Sequence, residues 1–177
     1  MYSWLPGDGS GALSTTESAR LNAIGLSAFA SGVAQHARAE LIASAGKTRR
    51  IVADGVLADD EAVQQGLGEV DGRLRAARGH LFGLIRAMDQ AEAEGRAPTG
   101  EAAIEIVQAC HILGRAAREM TIFAFDYAST SVVYARQPLQ RCLRDIFTGL
   151  KHAAFTPSML GRVGRVRLGL PFGGSPV

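Results

Sequence analysis

The chain has 177 residues, 47% of them hydrophobic and 20% charged, with a formal net charge of only +2. That is enough apolar material for one ordinary folded domain and too much for general disorder. Its cations are interspersed with acids until the C-terminal GRVGRVRLG, so the basic stripe that nucleic-acid binding needs is missing, and no run of about 18 apolar residues exists to span a membrane.

Residues 1–17 are rich in Gly, Ser and Thr and read as a flexible leader. With no basic start and no apolar stretch, they do not form a signal peptide. The first helix is predicted from about Glu17 to Ser44, with Leu26, Phe29, Val33 and Leu41 on one stripe. Gly25, Ala28 and Gly32 make a small-residue face beside it, of the kind that lets a second helix approach closely. AGKTRRIVADGVLADD then interrupts the pattern with two glycines and a cluster of charge.

The second helix carries the clearest periodicity. Val63, Leu67, Val70, Leu74, Ala77, Leu81, Leu84 and Met88 recur at alternating steps of four and three, the seam of a bundle helix. Asp59, Asp60 and Glu61 place acid at the positive end of its dipole, and Gly95 supplies the stop. A third helix runs from near Thr99 to Tyr127 with the seam Ile106, Cys110, Leu113, Ala117, Met120, Ala124 and Tyr127, and with Ala103, Gly114 and Ala117 as a small face. After ASTSVVYARQ, Pro138 suits the first turn of a fourth helix, whose seam is Leu139, Leu143, Ile146, Leu150 and Ala153. A turn at Pro157 and a Gly-rich tail end the chain. The expectation is an all-α, antiparallel up-down four-helix bundle over residues 18–165, with a tail over 166–177.

Chemical motifs are sparse. The residues three before His36, His80, His111 and His152 are Val33, Ala77, Gln108 and Gly149, so the Glu-x-x-His pairs of di-iron bundles do not occur and no metal site is expected. HExxH, Walker-type and GxSxG strings are likewise missing. Cys110 and Cys142 lie inside helical patterns without CxxC spacing, which suits a reduced, cytoplasmic protein. His36, His80 and His111 read as helix-surface or locally bonded histidines.

The fourth helix is more informative. Arg141, Asp145, Thr148 and His152 are spaced four, three and four apart, which puts all four on one helical face. Asp145 and His152 are then about 10 Å apart along the axis, beyond direct bonding. The stripe is either a solvated polar face with one ion pair, or the wall of a cleft or subunit boundary where an imidazole serves as donor or base.

QPLQRCLRDIFTGLKHAAF closely resembles the last helix of the acyl-CoA dehydrogenase fold, and more narrowly that of its two-component, group D flavin-dependent monooxygenases. LADDEAVQQGLGEVDGRLRAARGHLF resembles that family's second bundle helix, and GRVRLGLP its tail. The resemblance spans roughly residues 20–170. It implies that His152 is catalytic, standing beside the flavin and acting in forming or protonating the hydroperoxide that hydroxylates an aromatic substrate. It implies that Arg144, Asp145 and Thr148 belong to a structural polar stripe, with Arg141, Arg144 and Asp145 tying helices and subunits together. Ser129, Ser131 and Arg141 are the implied cofactor contacts, although ASTSVVYA stands where the family has a Gly-Gly turn.

The family's enzymes also carry an N-terminal helical domain and a middle β-barrel, and AFTPSML replaces the segment bearing the dehydrogenase base. The resemblance therefore implies the C-terminal domain of an oxygenase using reduced FAD or FMN shared with domains outside this chain, not active alone. A separate flavin reductase and a homo-oligomer, dimer or tetramer, are the implied partners. The alternative is a non-catalytic helical assembly module derived from the same fold.

Overall fold

In the computed structural model, which describes residues 15–49, 55–96 and 100–171, five helices follow one another. They are α1 (Thr15–Ala45), α2 (Glu61–Ala93), α3 (Gly100–Asp126), α4 (Pro138–Gly149) and α5 (Pro157–Arg167). Short 3-10 turns at Leu57–Asp59, Thr130–Val133 and Ala153–Phe155 punctuate the connections. Among the described residues, extended pairing is limited to one antiparallel bridge between Arg49 and Val56. Most of the expected leader lies outside the described residues.

Helix ends follow local chemistry. The Asp60 carboxylate accepts from the N–H groups of Ala62 (2.9 Å) and Val63 (3.4 Å) and caps α2. At the other end Gly95 takes a φ of +71°. Its N–H donates to Glu92 O at 2.9 Å while Arg96 N–H donates to Ala91 O at 2.8 Å, the paired bonds that satisfy a helix's last carbonyls. The same device ends α5, where Gly169 (φ +76°) bonds Val166 O and Leu170 bonds Arg165 O, each at 2.9 Å. A turn and tail were expected after Pro157; instead that proline opens a fifth helix. Val163 is its buried anchor, and Arg167 reaches Glu101 and Glu105 of α3 at 3.2 Å each.

The core has two layers. One combines Ala23, Ala30 and Ala34 of α1, Leu74 to Leu81 of α2, Ile106 to Met120 of α3, and Ile146. The other joins the end of α1 (Ala37, Leu41), the start of α2 (Val63), the end of α3 (Ala124) and the start of α4 (Leu139, Cys142), closed by Leu57 and Val132. Helices α1 and α3 therefore run one way and α2 and α4 the other, as expected for an up-down bundle. All of α1, α2, α4 and α5 pack on α3, while α1 and α2 pack on α3 rather than on each other.

Three glycines seat aromatic rings. A methyl group added at Gly66 would lie 2.6 Å from Phe123, at Gly114 2.7 Å from Phe155, and at Gly149 2.5 Å from Phe29. The small face expected on α3 is thus filled from within the chain: Phe155 and Leu150 cover Gly114, and Ala117 is fully buried. Nothing lies within 4 Å of such a methyl at Gly25 or Gly32, so the small face of α1 is open. On α4 the expected seam holds at Leu139 and Ile146, with Leu143 and Leu150 half-buried. Ala153 is exposed because the helix has already ended, and Cys142 is buried instead.

Between α1 and α2 an ionic cluster joins the two helices. Asp71 of α2, 7% exposed, has Oδ1 2.7 Å from Arg38 Nε of α1, while its Oδ2 receives Arg75 Nε at 2.8 Å. Burial pushes the carboxyl's pKa up, but the Arg75 hydrogen bond and the charges of Arg38 and Arg75 outweigh it and hold it below the usual 3.8. A carboxylate depressed in this way stabilises the fold fully above its unfolded value, and the contribution disappears as pH falls through the lower folded value. Asp71→Asn is expected to cost about 1–3 kcal/mol by urea denaturation near neutral pH, because it removes the negative charge and one of the two acceptor oxygens that Arg38 and Arg75 use. The wild-type advantage should hold down to about pH 5 and shrink below about pH 4.

Candidate functional site

A cleft of about 490 Å3 opens where the end of α1 meets the loop between α3 and α4. Glu40, Ser44, Lys47, Thr48 and Arg49 line it from the first side and Ser129 from the second. The chain turns out of α1 here through bonds from the N–H groups of Lys47 and Thr48 to Ser44 O, both 2.9 Å. The Ser44 hydroxyl donates to Leu41 O and that of Thr48 to Ser44 O, both at 3.0 Å. Such carbonyls form the negative end of the helix dipole, so the cations Lys47 and Arg49 decide whether an anion can settle in the cleft. Two cations against Glu40 leave it positive.

Ser129, an expected cofactor contact, lies on this cleft, and its hydroxyl is 2.7 Å from that of Ser131. Arg141, the third expected contact, is not among the lining residues; it pairs with Asp145 at 3.5 Å along the exposed side of α4. That pair lies within one helix. Thr148 donates to Arg144 O at 2.8 Å, and Arg144 is exposed. Lys47 and Arg49 went unassigned in the sequence, where their signal was the charge cluster directly after a helix end.

His152 does not share a helical face with Arg141, Asp145 and Thr148. Helix α4 ends at Gly149, where Phe29 sits against the backbone, and His152 becomes the cap of the following 3-10 turn. Its Nδ1 accepts from Ala154 N–H at 3.2 Å. A neutral imidazole accepting at Nδ1 carries its proton on Nε2, so exposed His152 presents an N–H donor outward. His152 and Ser129 lie at opposite ends of α4, which is about 18 Å long at 1.5 Å per residue.

The histidine that the fold buries is His111, read from sequence as a surface or locally bonded residue. It is 6% exposed on α3 under the His152 turn, with its ring centroid 6.4 Å from that of Phe155. Burial lowers its pKa, the Arg115 charge lowers it further, and a hydrogen bond with the Ala154 backbone opposes both. Its Nδ1 has no partner. His36, 3.9 Å from Glu40, and His80 are exposed. No cluster of three or more His, Cys, Asp or Glu suited to a metal occurs among the described residues, and none of their helices is long and apolar enough to cross a membrane.

A helical bundle with a polar cleft at one end and a histidine-bearing turn at the other matches a known domain. Residues 24–157 match the family described as acyl-CoA dehydrogenase, C-terminal domain, and the chain belongs to that family. A search of curated proteins finds no match. Among solved structures the fold is similar to XiaF from Streptomyces sp. in complex with FADH2 and glycerol (TM-score 0.82, 18% identity), covering 96% of this chain and 44% of that one. It is also similar to 3-HSA hydroxylase from Rhodococcus sp. RHA1 (0.73, 19%; 90% and 40% covered). The HsaA monooxygenase from M. tuberculosis is a third (0.70, 19%; 88% and 40%). The chain thus spans less than half the length of each, and at these identities the likeness is one of fold.

The cleft's composition predicts weak anion binding. Inorganic pyrophosphate is expected to bind with a Kd on the order of 10⁻⁴ M or weaker, about −5.5 kcal/mol at most. Lys47→Ala with Arg49→Ala should abolish it in low-salt calorimetry, and unchanged heats would assign the binding elsewhere.

Proposed function

We propose that this chain is the C-terminal bundle of a two-component, flavin-dependent monooxygenase that hydroxylates an aromatic or related small molecule with reduced flavin and O2. A separate reductase supplies the reduced FAD or FMN. The observation that carries the reading is the cationic, hydroxyl-lined cleft at Lys47, Arg49 and Ser129, in a bundle whose fold recurs in an FADH2 complex, a hydroxylase and a monooxygenase.

The donors in this cleft suit a flavin's phosphate end: two cations and several hydroxyls, with no aromatic side chain among the described lining residues. Apolar enclosure for the isoalloxazine ring comes from domains beyond this bundle, so the chain alone holds flavin weakly. When bound, reduced flavin supplies the oxygen-activating chemistry. Lys47, Arg49 and Ser129, with Ser131 behind it, hold phosphate oxygens, and His152 offers its Nε2–H to the reacting face. Arg141 contributes positive charge at the start of α4. Both cysteines are free and buried, which suits the reducing cytoplasm.

In an enzyme assembled with its remaining domains, His152→Ala is expected to slow hydroxylation by about 10²- to 10⁴-fold, the range for a positioned acid or base. Reduced flavin is then oxidised wastefully, which is measured as product formed per hydrogen peroxide released. An unchanged ratio would return His152 to a purely capping role.

The open face of α1 supports homo-oligomerisation. Leu21, Gly25, Ala28, Gly32 and Ala39 form an exposed stripe. A glycine inside a helix costs about 1 kcal/mol relative to alanine, and here no neighbour among the described residues makes use of the space. We expect a dimer or tetramer by sedimentation at tens of micromolar; a monomer there would sink the idea.

A further inference from the structure

Helix α5 differs from the rest of the bundle in what holds it. It has 11 residues, Gly161 and Gly164 among them, and a methyl added at either glycine would meet nothing within 4 Å. A helix this short with two interior glycines does not keep its shape alone, so α5 is helical only while it is docked on α3. Its one buried side chain is Val163. Beside that anchor stands an ionic fastening: the two terminal nitrogens of Arg167 reach Glu101 and Glu105, each at 3.2 Å. Glu101 is 72% exposed and Arg167 47%, so the pairing is weak and screened by salt. Pro157 to Arg167 contains three arginines and no acid, so the carboxylates that latch it come from outside the helix.

The segment just before α5 is fastened differently. Phe155 sits on the bare backbone of Gly114, where an added methyl would lie 2.7 Å from its ring. Thr156 stands between that seat and the helix, in extended conformation (φ −73°, ψ 147°). Its hydroxyl is 2.8 Å from Ala153 O and 2.9 Å from the Ser158 hydroxyl. A close-packed seat upstream and a weak latch downstream define a hinge.

We propose that α5 is a strap, hinged at Thr156 and latched by Arg167 on Glu101 and Glu105, that opens away from α3 while the bundle and the His152 turn stay in place. The hinge is four residues from His152, so opening clears the approach to that residue from the α5 side. This consequence for catalysis rests on the reading of His152 given above; the strap itself does not.

The test is amide exchange by NMR on the 15N-labelled 177-residue chain, read at Gly161 to Arg167 against the core amides of α3. The α5 amides are expected to exchange about tenfold faster than those of α3, or more, without global unfolding. Raising NaCl to about 1 M, where the Debye length is about 3 Å, should speed them about threefold and leave α3 unchanged. The Phe155 amide, upstream of the hinge, should not respond to salt. Glu101→Gln with Glu105→Gln should give the same gain at low salt and remove the salt response. Arg167→Glu should open the strap as well, and Glu101→Lys with Glu105→Lys added to it should close the strap again. Gly161→Ala with Gly164→Ala, which adds helix propensity in open space, should slow α5 exchange about tenfold. Exchange of α5 at the rate of the α3 core, rates indifferent to salt and to the charge changes, or a salt response at Phe155 would each overturn the proposal. In the assembled enzyme the two Gly→Ala changes should lower kcat about twofold or more, with product per peroxide unchanged. If exchange slows and kcat does not, the consequence for catalysis falls while the strap stands.

Discussion

Four helices lean on α3, and this crowding shapes the rest of the molecule. A helix covered on most of its circumference has to be apolar or small almost all round. From Ala102 to Tyr127 the exposed positions are only Ile112, Arg115, Arg118 and Asp126, and Arg118 lies over the Phe147 ring, 4.5 Å from its centroid. Two hydroxyls that lie inside are answered within their own helices: Thr121 donates to Ala117 O at 2.8 Å and Ser27 to Ala23 O at 2.7 Å. Because α3 carries the apolar load, α1 and α2 can be joined by the Arg38–Asp71–Arg75 cluster.

Much of this was legible in the sequence, for a physical reason. The four long helices follow from apolar residues at alternating steps of three and four, since such a seam must face something. The acidic start of α2 at Asp59 to Glu61 and its stop at Gly95 were equally plain. The fifth helix could have been found from Pro157 at its first position and Gly169 just past its end, the usual asymmetry of helix termini. It was obscured because an 11-residue helix shows barely three turns of pattern. The break after Gly149 was not legible: periodicity continues through Leu150 and Ala153, and only the packing of Phe29 on Gly149 and Phe155 on Gly114 turns the chain away.

The site was less legible than the fold. Ser129 and Lys47 are more than 80 positions apart in sequence, and no local pattern announces that the end of α1 meets the loop before α4. His111 is harder still, since an imidazole on a helix looks the same in sequence whether it faces water or a 3-10 turn. The apparent stripe from Arg141 to His152 was a reading of spacing alone, and spacing is a guide only while the helix lasts.

The three glycine–aromatic seats constrain how this chain can vary over generations. Gly66, Gly114 and Gly149 each receive a ring from a distant segment: Phe123, Phe155 and Phe29. Shrinking the ring alone opens a void, and enlarging the glycine alone forces the ring out. Each seat is thus a lock with two tumblers, so the sequence must alter both residues together or keep both. Because Phe29 and Phe155 bracket the bend that carries His152, drift at that bend is confined to such paired steps.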